Sequence, residues 1–291
     1  MTAAIALKLG RVSNLPTVWS NVLAGTVLAG GEPWPPATLL VMLAVSLLYI
    51  GGMYLNDAFD REIDARERPT RPIPAGLVEA NSVFAAGFGL LLGGIALVVA
   101  AAAMRGPELV SRPVLASLAL AAAIVFYDWH HKDNALSPLF MGLCRVLAYL
   151  TAGYAVASEP ALALFVAALV GLSYLIGLTY IAKQEAHDRI GNLWPLIFLA
   201  APLVYAIVSM QQAPVAVSVV AAVLIVWILQ ALSYLRRRGP GDVPRAVVSL
   251  IAGISLVDAL FLAAAGATLA ALAAVLCFLA TLLTQRWVSG T

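Results

Sequence analysis

The chain has 291 residues, of which 62% are hydrophobic and 11% charged, and its mean hydropathy is +0.95. A soluble globular domain carries about 25% charged residues, so this composition excludes an ordinary water-soluble fold and predicts an all-α integral membrane protein. The formal net charge of +2 gives no argument for a nucleic-acid partner, and none is expected.

A spanning helix needs roughly 20 predominantly apolar residues. Ten segments approach or meet that length, at about 15–31, 36–55, 80–103, 113–127, 138–157, 160–181, 193–210, 213–235, 246–264 and 268–284. Only Ala265, Gly266 and Ala267 separate the last two, so the count is nine or ten. Spans and short connectors use up nearly the whole chain, and residues 1–291 are expected to form a single transmembrane domain. Lys8 and Arg11 precede the first segment, which has the length of a span and lacks a small-residue cleavage site. It is therefore expected to be retained rather than removed as a signal peptide. With the N-terminus in the cytoplasm, all of the 17 Lys and Arg residues except Arg105 and Arg112 fall on the inner side, as the positive-inside rule requires. The expected location is the cell (inner) membrane, with the N-terminus and the acidic connectors cytoplasmic.

The connector after the second segment carries the densest chemistry, Asn56-Asp57-Ala58-Phe59-Asp60-Arg61-Glu62-Ile63-Asp64. If the helix runs on through it, Asn56, Asp60 and Asp64 recur at i, i+4 and i+8 on one face, about 6 Å apart. Oxygen-bearing side chains at that pitch repel one another unless a cation lies between them. Carboxylate and amide oxygens are what Mg²⁺ prefers, with water and substrate phosphates completing the shell. The plainer alternative is a solvated acidic loop offset by Arg61, Arg66 and Arg68. Against it stands the cost of placing Asp57 and Asp60 against a membrane, up to about 2.5–3.5 kcal/mol each. Directly downstream, Pro69, Pro72 and Pro74 stiffen the stretch that holds Arg68 and Arg71. Arg suits bidentate contact with phosphate, although taken alone this stretch could be a rigid basic linker.

The connector after the fourth segment runs from Tyr127 to Pro138, and within it Lys132 can offer a point charge to an anion. Arg145, about two turns into the fifth segment, requires a partner. His130 and His131 are adjacent and so point to different faces of a helix; zinc is not expected there. After the sixth segment comes Lys183-Gln184-Glu185-Ala186-His187-Asp188-Arg189-Ile190-Gly191. Glu185 and Asp188 can share a face, and Gly191 can end the helix, but alone this stretch also reads as an ordinary loop.

All three connectors follow even-numbered segments and so converge on one side. Two acidic clusters with Arg and Lys between them would suit a metal-bridged di- or triphosphate, and the helices around them would supply an apolar cavity for a greasy tail. The alternative of another class is a non-catalytic lipid carrier or transporter. Transporters tend to place polar sites near the midplane, and here only Asp258 is central. Asp258 is an intramembrane carboxylate and hence a functional candidate, with a hydrogen-bonded tie between helices as the plainer reading. Cys144 and Cys277 read as buried small apolar residues.

From Arg11 to about Trp194 the sequence resembles the UbiA superfamily of intramembrane prenyltransferases. The likeness rests on Arg11–Trp19, the NDxxDxxxD pattern at Asn56–Asp64, RPxRPIPxG at Arg68–Gly76, the Tyr127–Lys132 loop, and ExxDRxxG at Glu185–Gly191. The N-terminal stretch and Gly142-Leu143-Cys144-Arg145 are most similar to its EboC-like branch. The resemblance implies a bundle of nine or ten helices around an apolar central cavity. In the implied reaction, Mg²⁺ holds a polyprenyl diphosphate between two acidic motifs, and the isoprenyl group passes to a small acceptor, aromatic or lipid, with release of pyrophosphate. Terpenoid cyclisation and phosphoribosyl transfer to polyprenyl phosphate are alternatives on the same scaffold. By position, the resemblance implies metal ligation by Asn56, Asp57, Asp60, Asp64, Glu185 and Asp188, with Asp60, Asp64 and Asp188 as catalytic carboxylates. Arg68, Arg71, Tyr127, Lys132 and Lys183 would hold the diphosphate, and Arg11 and Asn14 would face the acceptor. The second motif departs from the family pattern, which has three or more acids; Lys183 and His187 could replace part of that charge.

Overall fold

The computed structural model describes residues 1–132, 134–184, 192–211, 213–237, 239–288 and 290, and among these there are helices and no strands. The α-helices are α1 (Ala3–Leu9), α2 (Leu15–Leu28), α3 (Pro36–Phe59), α4 (Arg61–Glu67), α5 (Ala80–Ala103), α6 (Ser111–His130), α7 (Ser137–Tyr154), α8 (Leu162–Lys183), α9 (Ala201–Ser209), α10 (Pro214–Arg237), α11 (Asp242–Ala264) and α12 (Thr268–Thr284). Six helical stretches are long and apolar enough to cross a membrane, and the shorter apolar stretches Trp194–Ser209 and Thr268–Thr284 accompany them.

Each expected apolar segment corresponds to a helical element. Proline in the first turn of α2, α3 and α7 sits where its missing N–H is not needed. The seventh segment differs in kind, opening as a 3-10 helix over Trp194–Ala200 before α9. Pro202 explains the change at α9, since it lacks an amide for the Phe198 carbonyl and crowds it. The final apolar run is two helices rather than one. Gly266 adopts φ +73°, a left-handed conformation that glycine reaches without steric cost, and this breaks the final run into α11 and α12.

α11 is the central helix. In its apolar window 83% of residues are buried, against 28% in α5, α10 and the span that contains α6, so those three turn most of their surface outward. Close packing depends on small residues. A Cβ on Gly51 of α3 would lie 2.8 Å from the Gly87 carbonyl oxygen of α5. At the bundle centre Asp258 of α11 is fully buried; its carboxylate accepts hydrogen bonds from Ser20 of α2 at 2.6 Å and from Tyr149 of α7. This ties three helices together. Cys144 and Cys277 are free thiols, half-buried rather than fully enclosed.

Candidate active site

α3 runs four residues past its expected end, to Phe59. Asp60 then bends the chain (φ −78°, ψ −2°) before α4 begins. The helical path nevertheless persists, because the Asp60 amide donates to the Asn56 carbonyl at 3.0 Å and the Asp64 amide to the Asp60 carbonyl at 2.8 Å. The i, i+4, i+8 relation of Asn56, Asp60 and Asp64 therefore survives with a kink at its middle member.

Basic side chains from elsewhere in the chain meet this acidic face. Arg71 Nη1 donates to Asp57 Oδ1 at 3.0 Å and to Asp64 Oδ2 at 2.9 Å. Arg11, in the left-handed turn before α2, reaches Asp57 at 3.1 Å and the Asn56 amide oxygen at 3.3 Å. Lys132 Nζ lies 3.3 Å and His131 Nε2 3.5 Å from Asp60 Oδ2. Burial alone would push the Asp60 carboxyl up, but His131 and Lys132 outweigh it and hold the group below its ordinary value. For Asp64 burial prevails over Arg71 and raises the carboxyl. Burial opposes the Arg11 charge, yet Asp57 foremost, with Tyr49 and Asp128 beside it, more than restores it.

The described parts of the connectors meet on one side. Asp60 meets the α6–α7 connector through His131 and Lys132, and Lys183 at the end of α8 donates to the Asn134 carbonyl at 2.6 Å. Together they frame a cavity of about 590 Å³ whose lining includes Arg11, Asn14, Asn56, Asp60, Arg68, Arg71, Tyr127, Lys132 and Lys183. Asp57 and Asp64 are not in that lining and remain tied to Arg71. Glu185 and Asp188 lie outside the described residues, as do His187 and Gly191, whereas the preceding Lys183 and Gln184 line the cavity.

A second, mainly apolar chamber of about 110 Å³ adjoins the first. The two share Tyr49, Met53, Met141, Arg145 and Leu175 as wall residues, and Val18, Val45, Leu120 and Ile124 help to line the chamber beyond. Arg145 finds its partner in Thr17, donating to the backbone carbonyl at 2.9 Å and approaching Oγ1 at 3.5 Å. The imidazoles of His130 and His131 diverge, as their spacing requires. His131 stacks on Tyr127 with ring centroids 4.8 Å apart, while exposed His130 packs on Phe126.

Three features were not visible to sequence reasoning. Asp128 accepts from Asn56 Nδ2 at 3.1 Å, a contact made by the crossing of α3 and α6. His131 joins Asp60, although its position next to His130 suggested no role. Gly290 receives a hydrogen bond from Asn14 Nδ2 at 2.9 Å, and Gln285 approaches Asn14 Oδ1 at 3.2 Å, so the tail beyond α12 returns to the cavity wall. Only the first carried a signal, a carboxylate beside Tyr127 in an otherwise apolar helix.

The arrangement can take an anionic head among Arg and Lys and an apolar tail beyond it. The chain is 29% identical to the digeranylgeranylglyceryl phosphate synthase of Methanopyrus kandleri over 58% of its own length and 59% of that protein's. With the protein of the same name from Methanoculleus marisnigri it shares 36% identity over 33% of this chain and 34% of the other. The matches thus span less than two thirds of either relative. Among solved structures, the apo structure of a UbiA homolog from Aeropyrum pernix has a TM-score of 0.61 at 17% identity, covering 85% of this chain and 94% of that one. A UbiA homolog from Archaeoglobus fulgidus bound to GPP and Mg²⁺ has a TM-score of 0.60 at 15% identity, covering 91% and 99%. These two likenesses show the fold. The UbiA prenyltransferase family itself matches residues 17–250, and the chain is a member of that family.

Proposed function

We propose that the protein is an intramembrane prenyltransferase, moving an isoprenyl group from an Mg²⁺-bound polyprenyl diphosphate to an acceptor and releasing pyrophosphate. The observation that carries this reading is the continuity between a basin lined by Asn56, Asp60, Arg68, Arg71, Lys132 and Lys183 and an apolar chamber behind it. A diphosphate with a hydrocarbon tail matches both parts at once; a wholly water-soluble substrate matches only the first.

The donor chemistry fits Mg²⁺. Asn56 and Asp60 face the basin, Asp57 and Asp64 stand behind them, and a buried oxygen of Asp128 has no hydrogen-bond partner. Among the described residues no three His, Cys, Asp or Glu side chains are gathered to hold a metal by themselves. Mg²⁺ draws on water and substrate phosphates to complete its shell. Glu185 and Asp188, which lie outside the described residues, would complete the set. When bound, the ion would neutralise charge that develops on the leaving diphosphate.

The chain's own residues do the rest. Arg71 spends only Nη1 on Asp57 and Asp64, which leaves Nε and Nη2 for phosphate oxygens. Arg68, Lys132, Lys183 and the Tyr127 hydroxyl add donors around the same basin, and preorganised donors of this kind stabilise the departing oxyanion. The apolar wall keeps water from the allylic carbon. Arg11 and Asn14 would face the acceptor, with the basin on the cytoplasmic side of the cell membrane. Of the aromatic and lipid acceptors expected from sequence, the name of the relatives favours the lipid one, as a glyceryl phosphate lipid.

The test uses purified protein in nanodiscs with Mg²⁺ and geranyl, farnesyl or geranylgeranyl diphosphate against both acceptor classes. A product heavier by one prenyl unit, together with pyrophosphate, supports transfer. A bare terpenoid would assign cyclisation instead, and intact diphosphate in every arm would reject the enzymatic reading.

A further inference from the structure

Four carboxylates lie at or behind the walls of basin and chamber, and three have cations beside them. Arg11 and Arg71 hold Asp57, Arg71 holds Asp64, and Lys132 stands by Asp60. Asp128, on the last turn of α6, makes no ion pair among the described residues, although the charge of Arg11 acts on it from nearby. It is 4% exposed; Oδ1 accepts from Asn56, and Oδ2 is buried with no hydrogen-bond partner. Its charged neighbours are Asp60 and Asp57, which repel it, and Arg11, which attracts it. It is also the one carboxylate that lines the apolar chamber among the described residues.

A buried carboxylate oxygen without a donor or cation is costly. A neutral donor would satisfy its lone pairs but leave its repulsion with Asp57 and Asp60 offset only by Arg11, whereas a cation bound at Oδ2 would answer both. We propose that Asp128 is a further ligand of the divalent cation in this basin, binding through Oδ2 while Asn56 clamps Oδ1. The proposal rests on the reading of the basin as a metal–diphosphate site. It also accounts for the thin second acidic motif, since α6 supplies a carboxylate that the Glu185–Asp188 stretch lacks. Asn56 gains a second task, orienting a ligand through the kind of outer contact that fixes metal-binding side chains.

The experiment is Mn²⁺ binding to the full chain in nanodiscs with inorganic pyrophosphate present, followed by the paramagnetic resonance of free Mn²⁺. Asp128→Asn preserves shape and the contact with Asn56 but removes the charge, and it is expected to weaken Mn²⁺ binding about tenfold or more. Should that variant not fold, Asp128→Ser carries the same expectation. Asp60→Asn is measured in parallel. Wild-type affinity in the Asp128 variant beside weakened binding in Asp60→Asn overturns this assignment alone; wild-type affinity in both overturns the metal reading of the basin as well.

Discussion

Asp258 in the middle of α11 and Asp60 at the end of α3 are both buried carboxylates in an apolar bundle, yet their surroundings are opposites. Asp258 lines neither cavity, and neutral hydroxyls of Ser20 and Tyr149 satisfy it from two other helices. Asp60 fronts the larger cavity and is met by Lys132 and His131 from a connector. A carboxylate satisfied by fixed neutral donors has no reason to bind anything else. One whose partners are cations on a cavity wall can exchange them for a metal and a phosphate. The setting, rather than the presence of an intramembrane acid, distinguishes a structural tie from a chemical site.

Substitution at each centre should separate activity from stability. The largest effect is expected for Asp60→Asn, which should lower kcat/KM at least ~100-fold while leaving the melting temperature within a few degrees. Near-normal turnover in a coupled pyrophosphate assay would remove the first acidic motif from the mechanism. Asp258→Ala should do the reverse. Loss of the acceptor for Ser20 and Tyr149 should destabilise the bundle by about 1–3 kcal/mol, with activity per folded molecule preserved; a selective loss of turnover would make Asp258 functional after all.

Legibility in the sequence followed the same division. Helices were readable because each apolar run must bury its own backbone polar groups in a membrane, and even the kinked Asn56–Asp64 face kept its expected spacing. Pairings across the fold were not readable. Asn56 and Asp128 meet because α3 and α6 cross, Asn14 is met by Gly290 from the far end of the chain, and Arg71 turns to Asp57 and Asp64. No local periodicity records such contacts. The partner of Asp258 was equally hidden, since Ser20 and Tyr149 are unremarkable residues in their own helices.

Two smaller effects sharpen the contrast. Lys183→Ala should raise KM for the prenyl diphosphate about tenfold and leave KM for the acceptor nearly unchanged; equal shifts in both would argue against a phosphate contact. Tyr149→Phe, which removes one of two donors to Asp258, should cost about 1 kcal/mol in stability and nothing in KM, as read by thermal unfolding beside steady-state kinetics.

The most direct measurement is pyrophosphate release from an allylic prenyl diphosphate by the purified protein, with Mg²⁺ either supplied or chelated. Release in step with prenylated product, abolished by chelation and by Asp60→Asn, is the predicted result. Intact diphosphate under all conditions, with lipid merely carried across the membrane, would contradict it.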